Sequence, residues 1–235
     1  MAGFVERGDK TTRLEAFVDA AFAFALTLLA IAGDHIPGSS EELWSALKSL
    51  PAYAASFLLI VRFWRGHVDW SRRYGLDDAV SQRLSLLLVL LVLVFVYPMR
   101  IVFAVLFSSL TGGYFPANFA ITRLADIPML FVTFGVAFGS LGTVMALLYR
   151  HAWRLRASIG LAAREQVELR MAMRHWSLIP LVALLSILLA LVIPVAGSSG
   201  WLLGLPGFVY FLLNLATPVL GAMTRRQLAS LPEDP

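Results

Sequence analysis

Cysteine is absent from the 235-residue chain, which excludes disulfides, thiolate metal sites and cysteine nucleophiles but leaves the redox compartment open. Charge is scarce: 14% of residues are charged and 59% hydrophobic, whereas a soluble domain is about a quarter charged. Lysine occurs only at positions 10 and 48. The histidines are His35, His67, His151 and His175, too scattered for a local metal-ligand cluster. There is no Walker loop, no Gly-rich dinucleotide turn and no G-x-S-x-G elbow. An enzyme is not expected, and neither is a cofactor.

What the chain does have is grease. Mean hydropathy is +0.77, so the lipid bilayer is the expected solvent. A net charge of +4 would suggest nucleic acid for a soluble protein. Here the basic residues stand between apolar runs, where the positive-inside bias accounts for them, and no nucleic-acid partner is expected. Met1 to Thr12 is largely polar and leads to no cleavable small-residue site, so the first apolar run is expected to stay in the mature protein.

Crossing the hydrocarbon takes roughly 20 apolar residues as helix. Six stretches meet that need, at about 14–32, 51–68, 84–107, 127–149, 176–196 and 201–223, the last two divided by Gly197-Ser198-Ser199-Gly200. The expected fold is an all-α integral membrane protein, a single six-helix unit over 1–235. Arginines gather at 72, 73 and 83, at 150–174 and at 225–226, while the alternate connections are nearly free of them. Both termini are therefore expected in the cytoplasm. The 150–175 connection reads as a solvated amphipathic linker extending its two neighbouring helices. Arg100, two residues after Pro98, either snorkels outward or faces a polar cavity.

The first span carries the polar exceptions. Phe24, Leu28 and Ile31 share one helical face, with Thr27 beside them. Spacing alone reads such a stripe as a packing seam before a pore, and reads Thr27 as bonded to its own i−4 carbonyl. Asp19 lies six residues beyond Arg13, about 9 Å along the axis and about 240° around it. The two cannot pair on one face. An acid in an apolar helix needs a partner or water, and Trp64 and His67 at the end of the second span are the candidate donors. A structural clamp and a gate brace both fit.

Arg13-x-x-x-Phe17-Val18-Asp19, with a threonine eight residues after the aspartate, resembles the R-x-x-x-F-S-D signature of the transmembrane protein 175 family of potassium-permeable channels. Trp64-x-x-His67 and Pro98 fall where that family has W-x-x-H and a leucine-rich helix ending in proline. The resemblance covers the first three spans. It implies a homotetramer in the bacterial inner membrane, with helix one of each subunit lining a potassium pore. By position, Phe24, Leu28 and Ile31 would form the hydrophobic constriction, and Thr27 a hydroxyl layer favouring potassium. Arg13, Phe17, Asp19, Trp64 and His67 would form the helix-packing network. Val18 departs from the signature serine, and Phe24 stands where the family has an aliphatic residue. Asp34 is either a charge at the outer mouth or a cap on the following turn. A proton- or cation-coupled transporter using Asp19 is the rival reading; no inverted repeat supports it.

Overall fold

The computed structural model describes residues 6–8, 11–31, 37–117, 119, 121, 123, 126–195 and 200–230, and all regular structure among them is helical. The helices are α1 (Arg13–Ile31), α2 (Ser40–Lys48), α3 (Leu50–Tyr74), α4 (Ala79–Leu110), α5 (Asp126–Arg154), α6 (Ala163–Val195), α7 (Leu205–Phe208) and α8 (Phe211–Ala229), with a 3-10 turn at Gly200–Gly204 before α7. Five described stretches are long and apolar enough to cross a membrane: Ser40–Tyr74, Ala79–Leu110, Asp126–Arg154, Ala163–Ile193 and Leu202–Ala229. Helix α1 is not among them; at 19 residues it carries Arg13, Glu15 and Asp19 in its N-terminal half. The last apolar run is not one regular helix, because Pro206 and Gly207 interrupt it in short turns before α8.

Helix α1 starts with a reciprocal cap. The Thr12 hydroxyl accepts from the Glu15 N–H at 3.1 Å, and the Glu15 carboxylate accepts from the Thr12 N–H at 2.7 Å. The other Glu15 oxygen accepts from the Ser71 hydroxyl, which ties the start of α1 to α3. Along α1, Val18, Phe22, Ala25 and Leu29 are buried against the core, spaced 4, 3 and 4 residues apart. That is the repeat of a helix seam. Its partners are α3 and α4.

Glycine sets the closest helix pair. On α5, Gly135, Gly139 and Gly142 face Ile187, Ala183 and Ile179 of α6, and a Cβ on Gly142 would stand 2.4 Å from the Ile179 Cγ2. Small residues let helix backbones approach in lipid, where no hydrophobic drive brings them together. Two buried polar groups tie α3 to α5: Trp70 Nε1 donates to the Leu148 carbonyl at 3.0 Å, and the Tyr149 hydroxyl donates to the Gly66 carbonyl at 3.1 Å.

The 150–175 connection does extend its two neighbouring helices, but it is not solvated throughout. Helix α5 ends at Arg154, a short turn follows with Gly160 at φ 64°, and α6 begins at Ala163. Leu161 and Leu169 are buried, and Glu165 is only 7% exposed. Arg7, from the N-terminal segment, holds Glu165 through both guanidinium ends, at 3.0 and 2.7 Å, and donates to the carbonyls of Ile159 and Gly160. The hydrogen bond to Glu165 raises the Arg7 pKa further, against the effect of burial. The polar pattern of this stretch hid an inward face because its cation comes from about 150 residues away.

Candidate functional site

The face of α1 opposite its seam has no covering among the described residues. At 100° per residue, the seam residues centre on one direction and Ala16, Ala20, Ala23, Phe24, Thr27 and Leu28 fan out around the reverse of it. Thr27 lies within about 10° of the point diametrically opposite the seam. Phe24 is 57% and Leu28 36% exposed, against 2% for Phe22 and 1% for Leu29. The packing-seam reading of the Phe24–Leu28 stripe therefore fails within the chain: the seam runs one step round the helix. Ile31 ends α1, but its side chain, like the whole of Asp34, lies outside the described residues.

Thr27 donates its hydroxyl proton to the Ala23 carbonyl at 3.0 Å, the usual bond of a threonine inside a membrane helix. That orientation leaves the oxygen lone pairs turned away from the helix axis, able to meet a cation.

Asp19 finds its partner on α3. Trp64 Nε1 donates to Asp19 Oδ1 at 2.8 Å. His67 does not share in that bond; it pairs with the Ser85 hydroxyl of α4 at 2.9 Å, with both side chains buried. Arg13 is exposed, and no bond to it occurs among the described residues. Phe17 is 53% exposed. So the structure joins Asp19 to Trp64, sets His67 on a separate tie between α3 and α4, and leaves Arg13 and Phe17 on the open side. Asp19 is itself exposed within the chain; a carboxylate there is expensive against lipid tails and cheap against water or a second subunit.

Trp64→Phe removes the donor and strands the Asp19 carboxylate, whereas Asp19→Asn keeps an acceptor for the indole. We expect Trp64→Phe to lose about 1–3 kcal/mol and Asp19→Asn clearly less. Thermal unfolding followed by size-exclusion chromatography orders the two; the reverse order would show that the charge, not the bond, is what matters.

Arg100 has a partner that its sequence position did not suggest. From α4 its Nη1 donates to the Leu29 carbonyl of α1 at 3.0 Å. A second unforeseen tie lies between α3 and α4, where Asp78 caps α4 by accepting from the N–H groups of Val80 and Ser81 and also bonds His151 Nε2 of α5 at 2.8 Å. Burial works against the Asp78 charge, yet the bonds from His151, Val80 and Ser81 together bring its pKa down to about 2. Thr12-x-x-Glu15 could have been recognised from sequence as a capping box. Nothing local signalled Arg7–Glu165, His151–Asp78 or Arg100–Leu29, which join residues far apart in the chain.

The described residues thus form a multi-pass all-α membrane protein, with no cluster of three metal-binding side chains among them and a first helix whose polar and apolar free face no other described residue covers. A family profile described as the endosomal/lysosomal potassium channel TMEM175 matches residues 13–98. A potassium channel of Marivirga tractuosa is 30% identical over 237 residues, covering 98% of this chain and 94% of that one. The crystal structure of a point variant of the potassium channel MtTMEM175, bound to a nanobody–MBP fusion protein, superposes with a TM-score of 0.81 at 27% identity, covering 96% of this chain and 98% of the other. The chain belongs to the TMEM175 family of potassium channels, and it is not an enzyme.

Proposed function

We propose that this chain forms a potassium-permeable channel in the bacterial inner membrane, as a homotetramer with both termini cytoplasmic and six membrane crossings, α1 included. The observation that carries this reading is the free face of α1: a threonine at its centre, bulky apolar side chains beside it, and a seam that fixes its rotation from behind. Phe24, Leu28 and Ile31 of each subunit narrow the path, and such an apolar ring blocks ions by dewetting without a plug. The Thr27 oxygens then replace part of the hydration shell of a potassium ion, which gives up water more readily than sodium. Asp34 concentrates cations at the outer mouth. Asp19 and Trp64 brace α1 against α3, His67 ties α3 to α4, and Arg13 and Phe17 on the open side meet the adjoining subunit.

The rival transporter reading needs Asp19 free to take up and release an ion. Its carboxylate is instead held by the Trp64 indole, which favours the brace.

Purified protein in liposomes under a potassium gradient tests the proposal. The gradient should collapse without a coupled substrate and with a preference for potassium over sodium. Thr27→Val keeps the side-chain shape but removes the oxygen; it should leave flux in place and lower the potassium preference by about tenfold, the weight of about one hydrogen-bond-sized interaction. An unchanged ion ratio would take Thr27 out of the mechanism.

A further inference from the structure

A positive side chain of α4 reaches the end of α1. Leu29 stands in the last turn of α1, where the carbonyls lack helical N–H partners and the helix dipole concentrates partial negative charge. The last turn carries no basic residue of its own. Arg100 Nη1 supplies the missing donor at 3.0 Å. Leu29 is also the final residue of the buried seam, 1% exposed, while Thr27 and Leu28 immediately before it face outward.

We propose that Arg100 is a positioning residue for ion selection: by capping the Leu29 carbonyl it fixes the rotation of the turn that presents Thr27 and Leu28 to the ion path. The idea rests on the pore reading of α1. Side-chain packing at Val18, Phe22, Ala25 and Leu29 holds the seam of the helix, and the Arg100 bond adds a tie to the backbone itself in the last turn, which ends at Ile31. Each residue turns the helix by about 100°, so a modest loosening of the last turn swings the Thr27 oxygen away from the axis. A charge-assisted bond to a backbone carbonyl is well suited to this, because no rotamer of α1 can change it. The same bond offsets the negative end of α1, which would otherwise draw any cation without distinguishing its size.

The test uses the full-length channel in planar bilayers with potassium on one side and sodium on the other, reading the permeability ratio from the reversal potential. Arg100→Gln should lower the potassium preference by about threefold or more, a part of what one charge-assisted hydrogen bond can contribute. Arg100→Lys, which restores a cationic donor, should recover most of it. Because Arg100 acts through the Thr27 turn, the double variant Arg100→Gln with Thr27→Val should be no less selective than Thr27→Val alone. If Thr27→Val shifts the ratio and Arg100→Gln does not, the positioning role is overturned and the pore reading stands. Should Thr27→Val leave the ratio unchanged, the pore reading fails first, and a shift in Arg100→Gln then contradicts the route through Thr27. Where Arg100→Gln does not assemble, replacing Ala30 by lactic acid makes the Leu29 carbonyl an ester and a poorer acceptor while Arg100 stays. A lowered ratio in that protein supports the cap, and a normal ratio overturns it.

Discussion

Phe24→Ala is expected to give a well-folded protein that passes ions faster, whereas Phe22→Ala, two residues away, is expected to give a damaged one. The two side chains are the same, and only their direction differs. Phe22 is 2% exposed within the seam that α1 makes with α3 and α4, and Phe24 is 57% exposed on the free face. Emptying the Phe22 site leaves a cavity among Val18, Ala25 and their neighbours. The cost should be about 2–4 kcal/mol, toward the lower part of the range for buried phenylalanine because lipid, unlike water, does not punish the unfolded reference state. Removing the Phe24 ring costs the monomer almost nothing and widens the narrowest part of the proposed path. Single-channel conductance should rise several-fold, while the midpoint of thermal unfolding stays near the parent value. Leu28→Ala and Leu29→Ala form a second such pair, at 36% and 1% exposure. Equal destabilisation within either pair, with no gain in current, would return the free face to a packing surface.

Gly142→Ala is expected to be among the most damaging single-methyl additions in the chain. The new Cβ would lie 2.4 Å from Ile179 Cγ2 and 2.7 Å from Ile179 Cβ, with Pro180 Cδ at 3.2 Å. Ile179 cannot swing its own Cβ aside, and it is itself 1% exposed, so α5 and α6 must separate. Overpacking of this kind costs about 1–3 kcal/mol locally, and the wider helix spacing forfeits dispersion contacts along the whole hairpin. Gly221→Ala is the control, since a Cβ there meets nothing within 4 Å, and it should be neutral or slightly stabilising through helix propensity. Similar unfolding midpoints for the two variants would mean that α5 and α6 are held by something other than close approach.

Composition and periodicity were enough to read an all-α membrane protein and to single out α1, because lipid forces polar backbone into helices and leaves side-chain character as the visible signal. Boundaries were less legible. Helix α6 begins at Ala163, ahead of its membrane span, as the expected extension requires, but the burial of Glu165 in its first turn by Arg7 was not foreseen. The short α2 was not foreseen, although the Ser39 hydroxyl caps it by accepting from the Glu42 N–H, with the Glu42 carboxylate accepting from the Gly38 N–H. At the candidate site, the partner for Asp19 followed from a simple requirement: an intramembrane acid must be satisfied, and its own helix could not do it. The rotation of α1 did not follow. Val18-Phe22-Ala25-Leu29 and Phe24-Leu28-Ile31 are equally apolar stripes, and only packing against α3 and α4 decides which one is hidden. Arg100 was legible as an anomaly but not as a cap, because its acceptor is a backbone carbonyl that no sequence pattern marks.

The absence of cysteine from the chain makes the central claim directly measurable, since any cysteine introduced is the sole reactive thiol. With the protein conducting potassium in a planar bilayer, a thiol-reactive cation small enough to enter the path, such as silver, is applied to Thr27→Cys and to Ala25→Cys. A pore lined by the free face of α1 predicts rapid, irreversible block of Thr27→Cys and an unaffected current in Ala25→Cys. Block at Ala25 with none at Thr27, or block at neither, would contradict it.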